Sequence, residues 1–335
     1  MIRKMRPFLI AFLLGVIVPG VLFSVCEKLL RKDTNDGMSQ ITPADNSEDL
    51  SITVTVLMKD GNIQLMEMND YLTAVILREM PASFEFEALK AQAVVARTYL
   101  LRRWEGGSGH NNADICTDSA CCQAYWDINA YLSEGGTAKN VEKIQKAVLD
   151  TVDEVLIYNN NLIDATYFAC SGGMTEDAAA VWGSDVPYLR SVESPGEEAA
   201  KHYVDTVTFT TEEFLQNLGI ESKSKMLDIK EIQYTAGGGL DTVNVCGVTL
   251  KGTTIRKELG LNSTSMQIEV TGDTVYITTT GKGHRVGMSQ YGADAMAKKA
   301  LTIEKYYSII ITVQMLLNIW QIDNLMKLGY NSENC

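Results

Sequence analysis

REMPASFEFEALKAQAVVARTYLL, residues 78–101, sets a proline between two helical patterns, and the rest of the chain is read outward from it. Upstream, Asn69-Asp70 can cap a helix running through Tyr71, Val75 and Ile76 to Glu79. Pro81 ends that helix, because the residue before a proline avoids helical dihedrals. A second helix starts at Ala82 or Ser83 and runs to about Trp104. Glu85 and Glu87 fall in its first turn and Arg102 and Arg103 in its last, both suiting the helix dipole. Ala88, Ala91, Val95 and Tyr99 give it a small-residue face suited to close packing.

On the N-terminal side, residues 51–58 alternate, with Ile52, Val54, Val56 and Met58 on one face and Thr53 and Thr55 on the other, a strand pattern. Lys59-Asp60-Gly61-Asn62 turns the chain into a second strand from Ile63. On the C-terminal side, residues 104–123 read as loop and 140–151 as a short amphipathic helix. A hairpin of 155–158 and 162–168 follows, around Asn159-Asn160-Asn161. Further strands are expected at 203–209, 229–234, 242–246, 267–270 and 275–279, then a glycine loop at 281–287 and a helix at 289–300. This irregular alternation predicts an α+β fold, with a helical region around Glu79 and a strand-rich second half.

Arg3, Lys4 and Arg6 precede FLIAFLLGVIVPGVLFSVC at 8–26. A run of ~20 apolar residues can span a bilayer, and the basic residues belong on its cytoplasmic side. Residues 1–32 are therefore expected to be a cytoplasmic tip and single transmembrane anchor, 33–49 a linker, 50–300 an extracytoplasmic domain and 301–335 an atypical tail. A cleaved signal peptide competes, but no small-x-small site ends the run. Lipidation at Cys26 would want a small residue before the cysteine, where Val25 stands. A net charge of -13 excludes a protein that grips nucleic acid by its phosphates, and it leaves carbohydrate open.

Four features could carry chemistry. Glu79 sits at a helix end, where the dipole disfavours a carboxylate by ~0.3–1 kcal/mol, and Met80-Pro81 adds apolar surroundings. Both favour the neutral acid that a general acid needs, although an exposed helix-end Glu is the ordinary alternative. His110, Cys116, Cys121 and Cys122 suit a closed structural zinc site, and a disulfide from Cys116 to Cys121 or Cys122 stands equally open. Ser171-Gly172-Gly173 permits close backbone approach to a ligand, or is a plain strand-exit turn. Gly281, Gly283 and Gly287 with His284 pose the same choice.

Five separated stretches then converge: residues 78–101, HNNADICTDSACCQAY at 110–125, CSGGMTEDAAAVWGSDVPYLRSVESP at 170–195, LKGTTIRKELGLNST at 250–264 and GHRVGMSQYGADAMAKK at 283–299. In this order they resemble the stage II sporulation protein D family, over roughly residues 50–300. The resemblance implies a membrane-anchored lytic transglycosylase that cuts the β-1,4 bond between N-acetylmuramic acid and N-acetylglucosamine. It would act on peptide-stripped glycan during engulfment and leave 1,6-anhydro ends, with Glu79 as acid/base. The resemblance also favours zinc at His110, Cys116, Cys121 and Cys122, although relatives place a His where Cys121 stands. It suggests Lys90, Arg97, Ser171, Gly172, Gly173, His284 and Gln290 as groove residues. Expected companions are the sporulation amidase (stage II sporulation protein P) and stage II sporulation protein M, with peptidoglycan glycan strands as substrate.

Two departures stand out. Arg285 replaces the glycine usual in the last motif, and the chain after about Lys299 leaves the family pattern. Two other readings are a non-catalytic module that binds wall glycan and stimulates an amidase, and a zinc-stabilised scaffold of the engulfment complex.

Overall fold

Val54 and Val56 are fully buried and Thr53 faces out, as the alternation of their strand requires. That strand, β1 (Thr53–Leu57), pairs antiparallel with β2 (Ile63–Glu67) across the 59–62 turn. The computed structural model describes residues 52–107, 109–110, 112–221, 226–300 and 315–318. The expected anchor (1–32) and linker (33–49), and most of the 301–335 tail, lie outside the described residues. Among the described residues no helix is long and apolar enough to cross a membrane.

Helix α1 (Met68–Glu79) begins one residue before the expected cap. Its N-cap residue, Glu67, makes no side-chain cap bond, and Asp70 lies in the first turn, where its charge suits the dipole. This corrects the capping role assigned to Asn69-Asp70. Helix α2 (Phe86–Glu105) starts later than Ala82 or Ser83, because the residues after Pro81 form a turn in which the Phe84 N–H donates to the Pro81 carbonyl at 3.0 Å. Strand β3 (Ile115–Cys116) then lies parallel to β1.

Helices α3 (Ile128–Ser133) and α4 (Ala138–Leu149) lead to β4 (Glu154–Tyr158) and β5 (Asn161–Leu162). Asn159 and Asn160 both take positive φ, 49° and 62°, the mirror-image turn that fits a tight hairpin. In the tail, β14 (Met315–Asn318) pairs antiparallel with β4.

After β6 (Tyr167–Phe168) and α5 (Ala178–Trp182), the chain leaves the first core and builds a second. Strand β7 (Val204–Thr210) and helix α6 (Thr211–Asn217) are followed by β8 (Ile229–Tyr234), β9 (Leu240–Val245), β10 (Val248–Lys251), α7 (Gly252–Glu258), β11 (Met266–Thr271) and β12 (Thr274–Thr280). Phe214, Val243, Ile255, Val275 and Ile277 form this second core. The first is made of Leu72, Ile76, Leu89, Val94, Ile144, Leu156 and their neighbours. The chain returns through β13 (Met288–Ser289), which pairs parallel with β6, into α8 (Gln290–Ala297). The region from β7 to β12 is thus inserted between two strands that lie side by side. The mixed helix and strand content bears out the α+β expectation.

Arg285 joins the two parts. Its guanidinium donates to the Ser171, Met174 and Gly237 carbonyls at 2.8, 2.8 and 2.6 Å and pairs with Glu176 at 3.3 Å. Its φ is +64°, the left-handed region that favours glycine, so the backbone keeps the conformation that a glycine would take more cheaply. The side chain's five donors offset that cost through bonds a glycine could not make.

Candidate active site and metal centre

Glu79 is the last residue of α1, and Met80 after it is already extended, with Pro81 following. The helix thus stops with the carboxyl half-buried. The Ala124 N–H donates to Glu79 Oε1 at 3.2 Å. Burial raises the acid's pKa above its ordinary value. The Ala124 N–H, side-chain hydrogen bonds from Gln290 and Tyr167, and the charge of Arg78 pull the other way. The direction matches the helix-end argument, but burial is the larger cause.

Two of these donors are placed by the β6–β13 pair, which sets Tyr167 beside Met288 and Gln290 just beyond it. The Tyr167 phenol is pushed well above its usual pKa by burial and by the Glu79 charge, so it stays a donor. Behind it, Gln123 donates to the Tyr167 hydroxyl at 3.3 Å and accepts from the Tyr71 hydroxyl at 3.2 Å. Gln290 also donates to Gln92 at 3.3 Å. Tyr167, Gln123 and Ala124 were not anticipated as site residues. Tyr167 stands inside a predicted strand, and nothing local marks its hydroxyl as bound for Glu79.

The other expected groove residues divide. His284 lies against Phe168 and Trp182, with ring centroids 5.5 and 5.3 Å away. Its Nδ1 accepts the Val286 N–H at 3.1 Å. Burial, then the charge of Arg256, lowers its pKa to about 4, so the ring is neutral at physiological pH. Lys90 is half-buried and paired with Glu87 at 3.1 Å.

Arg97 requires a correction, because it is fully buried and donates to the carbonyls of Val148, Thr151 and Glu154 at 3.0, 2.6 and 3.2 Å. It satisfies the C-terminal end of α4 and the start of β4 and faces no groove. Ser171 is likewise buried, with its hydroxyl on Glu197 at 2.8 Å and its N–H on the same carboxylate at 2.6 Å. Gly172 has φ +76°, and an added Cβ would come within 2.9 Å of the Thr280 backbone, so its close approach is to the fold. Gly173, with φ +103°, has more room, the nearest atom to such a Cβ being the Tyr203 hydroxyl at 3.8 Å.

The cysteine loop is folded by Asp118. Its carbonyl accepts the Cys121 and Cys122 N–H groups at 3.0 and 2.7 Å, and its carboxylate accepts that of Ala120 at 2.9 Å. This tight turn lets two adjacent cysteines face His110. The donor atoms of His110, Cys116, Cys121 and Cys122 all lie within 4.8 Å of one another. His110 Nε2 is 3.2 Å from Cys122 Sγ and 3.8 Å from Cys121 Sγ, and the two sulfurs are 3.9 Å apart. A disulfide needs about 2.05 Å, and the thiols are free. Tetrahedral ligation with metal–sulfur bonds of about 2.3 Å puts sulfurs about 3.8 Å apart, so the cluster could hold a metal ion.

An α+β frame that holds one carboxyl among neutral donors, with a candidate metal loop next to it, defines a narrow class of protein, and comparison with known proteins narrows it further. The family model for the stage II sporulation protein (SpoIID) matches residues 59–158. Stage II sporulation protein D of Bacillus subtilis (strain 168) is 40% identical over 253 residues, covering 73% of this chain and 74% of that protein. Its Bacillus amyloliquefaciens counterpart is 38% identical over the same coverage. The amidase enhancer of Bacillus subtilis (strain 168) is 28% identical over 293 residues, 71% of this chain and 39% of that protein. The chain belongs to the stage II sporulation protein D family, a sporulation family related to the amidase enhancer.

Proposed function

We propose that the protein is a lytic transglycosylase that cleaves peptide-stripped peptidoglycan glycan, with Glu79 as its acid and base. The observation that carries this reading is the company Glu79 keeps: it is half-buried, and the partners that act on it most are a backbone N–H, an amide, a phenol and Arg78. Hydrolytic glycosidases use two carboxyls, one to protonate the leaving oxygen and one to attack or to activate water. A transglycosylase manages with one. The Glu79 proton passes to the bridging oxygen as the bond to muramic acid C1 breaks. The sugar's own 6-hydroxyl closes on C1, and its proton returns to the Glu79 carboxylate. Atoms balance without water, and the product is a 1,6-anhydro end.

Within this reading Gln290 and Tyr167 hold the carboxyl in position, and His284 lines the adjoining surface. Lys90 and Gly173 are the remaining candidates for the groove wall. His110, Cys116, Cys121 and Cys122 would hold zinc, which fixes the loop and takes no part in bond cleavage. Anchoring through residues 1–32, a domain facing the engulfment space, and work beside the sporulation amidase and stage II sporulation protein M complete the proposal.

The test is digestion of peptide-free glycan by the full-length chain in detergent, read by mass spectrometry. Wild type should release 1,6-anhydro products, and Glu79→Gln should lose roughly a hundredfold or more of that rate. The likeness to the amidase enhancer supports a second reading, a non-catalytic glycan-binding module that stimulates an amidase. If both proteins bind glycan equally and neither cuts it, that second reading wins.

A further inference from the structure

Arg97 and Arg285 are buried, and a third arginine, Arg256, is half-buried. Arg97 bonds carbonyls through its two terminal nitrogens, and Arg285 bonds carbonyls and Glu176 through all three of its nitrogens. Arg256, on α7, is half-buried, and its Nε is shielded from solvent with no hydrogen-bond partner. No carboxylate pairs with it among the described residues. Holding a guanidinium partly out of water without an acceptor is costly, and a ligand anion would offset that cost.

Its surroundings indicate which anion. The Leu261 N–H bonds the Arg256 carbonyl at 2.9 Å, and the next carbonyl, that of Asn262, accepts the Gly283 N–H at 2.9 Å. This ties α7 to the loop that carries His284. The imidazole lies beside Trp182, which is 46% exposed. An open indole offers an apolar face to a sugar ring, and a planar guanidinium fork suits a carboxylate. Tyr167 also neighbours His284, with its backbone facing the imidazole and its hydroxyl facing Glu79. Tyr167 therefore links the acid to His284, which lies beside Trp182 and in the field of Arg256.

We propose that Arg256, with Trp182 and His284, forms a subsite that reads the free lactyl carboxylate of an N-acetylmuramic acid unit next to the bond at Glu79. The inference rests on the glycan-cleaving reading for its substrate. A muramic acid that still carries peptide has an amide in place of that carboxylate, so Arg256 would select for stripped strands by charge.

The test is binding, in the full-length chain carrying Glu79→Gln so that ligand survives. The probes are a peptide-free tetrasaccharide of alternating N-acetylglucosamine and N-acetylmuramic acid, and the same sugar with its lactyl carboxylates methyl-esterified. The parent should bind the acid roughly ten- to a hundredfold tighter than the ester. Adding Arg256→Gln should remove that preference while leaving ester affinity within about twofold, and Arg256→Lys should keep part of it. The acid/ester comparison on the parent needs no Arg256 variant, so it decides even if Arg256→Gln fails to fold. Equal affinity of the parent for acid and ester overturns the subsite, as does an equal loss on both sugars in Arg256→Gln. Product release is scored separately with Glu79 restored. Cutting without charge preference removes the subsite and leaves the transglycosylase, whereas charge preference without cutting does the reverse.

Discussion

The Ala124 N–H donates to Glu79 Oε1 at 3.2 Å, and Ala124 stands two residues after Cys122. The loop that gathers His110, Cys116, Cys121 and Cys122 therefore also positions a donor to the proposed acid. Losing an outer support of this kind costs about 10- to 100-fold in metal affinity or activity elsewhere. Chelation or Cys122→Ser should lower glycan cutting by about tenfold or more, at temperatures where circular dichroism still shows a folded chain, and should lower the thermal midpoint. Metal analysis of the same samples gives the occupancy. A chelated protein with full activity would show that the loop and the acid are independent.

Arg97 separates a structural role from a groove role. It is fully buried against three carbonyls at the junction of α4 and β4. Arg97→Met leaves those carbonyls short of donors and should cost about 2–4 kcal/mol in urea unfolding. Affinity for peptide-free glycan, measured well below the unfolding midpoint, should not change. A variant of normal stability that has lost glycan binding would restore the groove assignment.

Arg285 and Glu176 fix the inserted region to the rest of the chain. Glu176 Oε1 also accepts from the Thr235 hydroxyl at 2.7 Å and the Gly239 N–H at 2.8 Å. Removing the carboxylate strands a buried guanidinium, so Glu176→Ala should cost about 3–5 kcal/mol. Arg285→Gly loses the same pair but relaxes a left-handed backbone, so it should cost less. In a double-mutant cycle the two changes should couple by about 1 kcal/mol or more. Strict additivity would mean that the 3.3 Å contact contributes nothing.

Periodicity located most of the elements. Val54 and Val56, the strand at Ile229–Tyr234 and the helix ending at Glu79 all follow from alternation or helical spacing. Helix α6 was missed, although Thr210 and Glu213 form a capping box that the sequence displays at the right spacing. Side-chain fates were less legible. Arg97 and Arg256 look alike in sequence, yet Arg97 is fully buried with its terminal nitrogens on three carbonyls, and Arg256 is half-buried. That difference arises from contacts 51 to 57 residues apart, which no local pattern encodes. The acid itself could be argued from its helix end, but its donors come from a loop, from β6 and from α8, brought together only by tertiary pairing.

The acid's titration follows from the same contacts. Burial raises the Glu79 pKa above the ordinary 4.5, while bonds from Ala124, Gln290 and Tyr167 and the charge of Arg78 hold it down. The folded state therefore binds this proton more tightly than the unfolded chain does. The stability Glu79 contributes is complete below about pH 4.5 and is lost as pH rises through the folded value. Catalysis as proposed needs the protonated form, so kcat/KM on peptide-free glycan should fall along an alkaline limb whose midpoint lies above the ordinary glutamate value. Tyr167→Phe removes a donor that favours the carboxylate and should move that limb to higher pH by about half a unit to one unit. Rate and pH midpoint are separable readouts, and a merely structural tyrosine would lower the rate without moving the midpoint. A limb that stays in place or moves down would show that the Tyr167 hydroxyl does not bond Glu79 in the working protein.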